Sequence, residues 1–303
     1  MGFSLDQWLE DTTGLSSLLL SVMRNWEMTH QKSPLTEHKE CERQYDVIRN
    51  AILGFESDLH NLAVNYQLMI DIIKNNQYKD YGLRGLYIGL LTENYITNIR
   101  SLYDFCSIFP RIIMSKSNID CYCKFASDDT LWTLLCAIEG KAKERGNHNI
   151  VDQDTLRKIL SDLPDQLKTH ITNTRESLQD ISRIRNAIVH HGKEPFVKFE
   201  EDNVVLRIPK ESPNDNSTIL PNILNLDTTD YPLFDYLKKL TCDLFAFMEN
   251  LGVILFIQKE DCRSNLWQLV GICMEDFCSF MNFNLKRYVM KDDDGALKLC
   301  YYL

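Results

Sequence analysis

Glycine and proline are both scarce in this chain of 303 residues, at 12 and 8 respectively. A turn-rich β sandwich or barrel needs many of each, so the shortage favours helices. Positive charge is also short. Lys and Arg number 33 against 43 Asp and Glu, a formal net charge of −10. That excludes a protein that coats nucleic acid through bulk charge, because affinity for phosphate rises with clustered cations. It leaves room for a local basic cleft. None of the ten cysteines forms a Cys-x-x-Cys pair, and Cys121 and Cys123 are one residue apart, a poor metal spacing. The reading is a reduced, cytoplasmic protein with buried thiols, no zinc site, no metal and no cofactor. Long uncharged apolar runs are missing too. The most membrane-like segment, Leu240 to Ile257, carries Asp243 and Glu249 and reads as a buried core helix, so no membrane is expected. The run Leu15 to Met23 follows Asp6, Glu10 and Asp11, the wrong charge for a secretory signal.

What is present is helical periodicity. Residues 5–29 place Leu5, Trp8, Leu9, Leu15, Leu19, Val22 and Trp26 at helical spacing. In residues 36–76, nine apolar positions from Tyr45 to Ile73 alternate steps of three and four without a miss. Such a stripe must pack on another helix, first as bundle core and second as a seam between subunits. Helices follow over 83–112, with Leu86, Leu90, Ile96, Ile99, Tyr103 and Cys106 assigned to one side and Pro110 disturbing the end. Further helices are expected from about Asp129 to Arg145 (capped by Asp128 or Asp129), in a short piece before Asp162, and over a long span opened by Pro164. The period then changes. Phe196–Glu200 and Val204–Ile208 flank Glu201-Asp202-Asn203 and read as a small β-hairpin at 196–208. Residues 209–230 read as a surface loop, 232–258 as an apolar helix and 264–288 as a last helix. The tail 291–295 reads as charged and turn-like. The expected fold is an all-α bundle with one hairpin. Residues 1–76 pack on a core of 83–258, and 259–303 form a C-terminal helix and tail.

One stretch gathers groups suited to phosphate chemistry: Arg183-Ile184-Arg185-Asn186-Ala187-Ile188-Val189-His190-His191-Gly192-Lys193. Arginine holds phosphate oxygens with a rigid, permanently charged fork. Histidine moves protons in both directions near neutral pH, and asparagine can orient either. These parts suffice to cleave RNA without metal, by attack of the ribose 2′-hydroxyl on its own phosphate. From Lys168 to Lys193 five basic residues stand against two acidic ones, +3 in a chain of −10. On an ideal helix, Arg185 falls within the apolar stripe between Ile181 and Ile188, and His190 points about 140° away from it. Gly192 ending the helix early, or two copies of the stretch facing each other, would resolve this. A charge on an apolar stripe also needs a partner, for which Glu93 or Asp104 is available.

Arg185-Asn186-Ala187-Ile188-Val189-His190 resembles the Arg-x4–6-His motif of the HEPN superfamily, with the polar residue that typically follows the arginine. The resemblance covers about residues 83–258. His190 leaves four intervening residues and His191 five, and both spacings fit. His190 is preferred because it is four residues from Asn186. The resemblance implies an all-α HEPN-like core and a metal-independent endoribonuclease, a defence or toxin effector. It also implies a site completed in a homodimer and a possible neutralising protein partner. Arg185 and His190 become the expected catalytic pair, with Asn186 orienting them. Arg183, His191 and Lys193 become expected RNA contacts, although a bridge from Arg183 to Asp180 competes. The same resemblance admits a non-catalytic helical dimerisation or interaction module.

Overall fold

The computed structural model describes residues 15–31, 39–74, 81–113, 131–140, 160–161, 163–200, 203–211, 217–258, 268–269, 274–281, 289–291 and 297–299. Its helices are α1 (Leu18–Gln31), α2 (Lys39–Lys74), α3 (Tyr81–Ile113), α4 (Leu131–Ile138), α5 (Asp165–Asn173), α6 (Arg175–His191), α7 (Leu233–Gln258) and α8 (Met274–Met281). Short strands are β1 (Leu15–Ser16), β2 (Phe196–Glu200), β3 (Asn203–Arg207), β4 (Tyr231–Pro232), β5 (Gln268–Leu269), β6 (Val289–Lys291) and β7 (Leu297–Leu299). The described chain is mostly helical with a small three-stranded antiparallel sheet, β2-β3-β4.

Helix α7 is the axis of the core. It is apolar almost all round, and nearly every residue from Tyr236 to Phe256 is buried. Length and composition alone would let it cross a membrane, but α1, α3, α5 and α8 enclose it. Each fully buried Leu, Ile or Phe contributes about 1.5–3 kcal/mol, so this helix anchors its neighbours. The regular stripe of α2 is core. Ile48, Ile52, Phe55, Leu59, Leu62 and Met69 are buried against α3 and the rest of the bundle. Helices α1 and α2 share that single apolar core with α6. Arg24 ties α1 to α2 by a two-pronged pair with Glu56.

Several boundaries differ from the periodicity. Leu15 belongs to strand β1, paired with Leu269, not to the first helix. That helix starts only after Ser17, whose Oγ accepts the Leu20 N–H at 3.2 Å as a cap. The helix opened by Pro164 breaks at Thr174. There the hydroxyl bonds back to the His170 carbonyl at 2.9 Å, and α6 begins at the next residue. Pro110 does not end α3, which runs on to Ile113; so near the C-terminus a proline removes only one helical hydrogen bond. The last helix is shorter than expected, since Gln268–Leu269 is strand, and β6 pairs with β7 in a hairpin the periodicity missed. The expected caps Asp128 and Asp129, the short piece before Asp162 up to residue 159, and residues 5–14 lie outside the described residues. The hairpin at 196–208 is present in register Phe196↔Arg207 to Glu200↔Asn203, and Tyr231–Pro232 adds its third strand.

Candidate active site at the end of the motif helix

Helix α6 carries the motif because its sequence alternates a buried face with an open one. Leu178, Ile181, Ile184 and Ile188 are buried, while Arg183, Asn186, Val189, His190 and His191 are exposed. The helix stays regular to His191. Gly192 then adopts the left-handed conformation (φ 60°, ψ 30°), which an L side chain rarely takes. Its N–H bonds to the Ile188 carbonyl at 3.1 Å, and the Lys193 N–H bonds to the Ala187 carbonyl at 3.0 Å. The glycine therefore closes the helix after both histidines and does not release them.

Arg185 and His190 nevertheless meet. The Arg185 Nη1 lies 2.9 Å from His190 Nε2 and 3.5 Å from Asn186 Oδ1. This overturns the expectation that a regular helix keeps the two side chains apart. The angle between their Cβ directions is unfavourable, but arginine is long and flexible, and helical side chains lean toward the N-terminus. His190 leans back toward the turn that carries Arg185, and the guanidinium reaches the rest of the way. Nor is Arg185 fully buried; it sits at the edge of the apolar stripe, partly open. A guanidinium only donates hydrogen bonds. In a hydrogen bond between the two, Nε2 is therefore the acceptor.

The two acidic candidates separate. Asp104, on α3, feels the charge of Arg185. Burial pushes its carboxyl up from the usual range. Opposing this, Arg100 donates to it at 2.5 Å, the Leu131 backbone N–H donates to it at the start of α4, and Arg185 adds its field. Asp104 thus links the motif helix to α4 electrostatically. Glu93, half-buried on the same helix, makes no ion pair or hydrogen bond with Arg185.

The remaining motif residues point elsewhere. Arg183 is exposed, and its charge acts on Asp180 and on Tyr236 of α7, away from the pair. No ion pair joins Arg183 to Asp180, whose carboxyl is pushed up by burial first and by Glu176 second. His191 and Lys193 border an open groove of about 560 Å³ beside the helix end. Lys193 Nζ donates to the Glu211 carbonyl at 3.3 Å.

Two features beside the end of the motif helix go beyond the sequence reading. Leu86 and Leu90 do not share one side with Ile96, Ile99, Tyr103 and Cys106: they are 68% and 56% exposed, with Leu83 and Tyr87 also open beside them, while the other four are buried. At about 100° per residue, Leu86 lies about 140° from Ile99, so the two cannot share a face. Leu86 and Asp104 are eighteen residues apart, about five full turns, and project from the same side of α3. The second feature is Phe196, 42% exposed in the groove, with the Arg207 guanidinium 5.4 Å from its ring centroid. An aromatic opening a strand directly after a basic motif was the available signal. Among the described residues no three His, Cys, Asp or Glu side chains gather as a metal-holding group.

No protein-family model, no curated protein and no solved structure matches this chain.

Proposed function

We propose that the protein is a metal-independent endoribonuclease whose working pair is Arg185 and His190. The observation that carries this reading is the 2.9 Å contact between the arginine fork and an imidazole nitrogen that must be a proton acceptor. A phosphodiester entering the site competes for the guanidinium, which prefers an anion to a neutral imidazole. Nε2 is then free to take the proton of the ribose 2′-hydroxyl. The 2′-oxygen attacks phosphorus, the bond from phosphorus to the 5′-oxygen breaks, and that oxygen takes a proton. The products are a 2′,3′-cyclic phosphate and a 5′-hydroxyl. Arg185 neutralises the charge that builds on the phosphoryl oxygens, and Asn186 steadies the guanidinium.

The reading places the enzyme in a homodimer, with the exposed face of α3 around Leu86 and Leu90 as the seam. Exposed large apolar side chains in a row favour burial against a like surface. A second copy of His190 across that seam would protonate the leaving oxygen. The same leucine face favours the alternative, a non-catalytic dimerisation module, because self-association needs no chemistry. A cytoplasmic defence or toxin role, held in check by a neutralising partner, follows from the motif's resemblance to HEPN proteins.

The test is purified protein with RNA in EDTA. Cutting by the parent should fall by about a hundredfold or more in Arg185→Ala and in His190→Ala, with circular dichroism and melting retained. Undiminished cutting in both variants would remove the pair from the mechanism. No cutting by the parent would favour the module.

A further inference from the structure

Beyond Gly192 the chain turns directly onto α3. The carbonyl oxygens of Val197 and Pro195 lie where a Cβ on Gly85 or Gly89 would come within 3.0 and 2.8 Å. Only glycine lets strand β2 approach the helix this closely. The strand and the helix leave an open groove between them, bordered by His191, Lys193, Phe196, Lys198 and Leu86. Its volume of about 560 Å³ lies in the range of small-molecule sites, roughly 300–1,000 Å³.

The lining sorts by chemistry. Phe196 is the open aromatic surface, with the Arg207 guanidinium against its ring. Each ring has one face against a guanidinium, Arg84 lying 4.7 Å from the Phe199 centroid, but Phe199 is half-buried and packed on the core while Phe196 is open. Lys193 forms no ion pair with any described carboxylate and stands two residues beyond His191, at the motif end. Lys198 is paired with Glu200 at 3.0 Å. Glu194 and Glu211 also border the groove, so bulk positive charge does not define it. A flat, uncharged ring fits the Phe196 end, and a single anion fits the Lys193 end. That is the outline of one unpaired nucleotide.

We propose that this groove binds a single-stranded nucleotide adjacent to the cut, its base stacked on Phe196 and its phosphate held by Lys193. The proposal rests on the ribonuclease reading and names its substrate class as unpaired RNA. Duplex RNA is disfavoured because a paired base would first have to leave its stack, at a cost of a few kcal/mol.

The experiment uses the full chain carrying His190→Ala, so that bound RNA survives. A labelled single strand of roughly twelve nucleotides, and the same strand in a duplex, are titrated by fluorescence anisotropy. Phe196→Ala should weaken single-strand binding by about tenfold, while Phe196→Trp binds like the parent and the duplex affinity stays unchanged. Lys193→Ala should weaken binding and lower the salt dependence by about one ion. Melting curves establish that each variant is folded. Equal affinity of Phe196→Ala and parent, equal loss in Phe196→Trp, or absent binding by the parent would each overturn the groove. So would a change of sedimentation in Phe196→Ala, which would assign the ring to self-association. The two readings separate cleanly. Phe196-dependent binding without any cutting by wild type defeats the ribonuclease and keeps the groove. Cutting that needs Arg185 but ignores Phe196 defeats the groove and keeps the ribonuclease.

Discussion

Arg185 Nη1 sits 2.9 Å from His190 Nε2, five positions on along the same helix, so the guanidinium faces the nitrogen that the proposed reaction would use as its base. The resting site is therefore closed on itself. In the proposed cleavage the guanidinium turns from imidazole to phosphate, offering its planar fork to the phosphoryl oxygens and freeing Nε2. A lysine at this position keeps the charge but has a single ammonium head and no fork. Arg185→Lys should lower cleavage by about a hundredfold, close to the alanine variant, in single-turnover assays of a labelled RNA. Retention of half the parental rate would show that charge alone suffices and that the contact with His190 is incidental.

The open leucines of α3 carry the second expectation. Leu86→Glu combined with Leu90→Glu replaces two exposed apolar groups with charges that would have to be buried in a seam. Both positions are solvent-facing in the single chain, so the fold should survive. Sedimentation equilibrium should show the parent as a dimer and the double variant as a monomer, with cleavage falling in parallel. A monomeric parent that cuts RNA at the same specific rate over a hundredfold dilution range, roughly 3 kcal/mol of association, would end the shared-site mechanism.

Much of the architecture was legible in the sequence because it rests on local periodicity. The α2 stripe, the all-round apolar α7 and the hairpin at 196–208 each announce themselves within one element. What was not legible depends on partners distant in the chain. The strand at Leu15 exists because Leu269 pairs with it. Leu86 and Leu90 are apolar yet open, because helical angle and not apolar character decides which leucines face the core. In the motif, residue types and spacing were readable, but the meeting of Arg185 with His190 depends on side-chain length and lean, which Cβ angles omit.

Glu249 gives a pH dependence with a definite sign. Its carboxylate, fully buried on α7, accepts the Ser17 hydroxyl at 2.6 Å and the Leu18 N–H at 2.7 Å, closing the start of α1. Burial pushes its pKa up to about 7, against the opposing pull of those two donors. A carboxyl raised in the folded state binds its proton more tightly there than when unfolded. Its contribution is therefore full below the unfolded value near 4.5 and lost as pH rises through about 7. The loss is of order 3 kcal/mol. Urea unfolding at pH 5 and pH 7.5 should show this fall in the parent and a flatter response in Glu249→Gln, whose amide oxygen still accepts without ionising. Identical slopes in the two proteins would remove Glu249 from the pH response.

Close packing of α1 on α7 yields a prediction that reverses an intrinsic preference. In an open helix, replacing glycine by alanine stabilises by up to about 1 kcal/mol. At Gly252 a Cβ would stand 2.5 Å from the Leu19 nitrogen, 2.9 Å from the Leu19 Cα and 3.0 Å from the Leu18 carbonyl carbon. Every one of these atoms is backbone, so no rotamer change relieves the overlap. Helix α1 has to lift off α7, and the lift also stretches the hydrogen bonds that Ser17 and Leu18 give to Glu249. Gly252→Ala should cost about 1–3 kcal/mol in urea unfolding. Gly54 is the informative comparison. There the added Cβ would meet the Phe105 ring at 2.3 Å, which is the far end of a half-buried side chain. The ring can turn aside, so Gly54→Ala should cost less than Gly252→Ala. If Gly252→Ala proved as stable as the parent, the backbone contact between α1 and α7 would not be as close as the structure draws it.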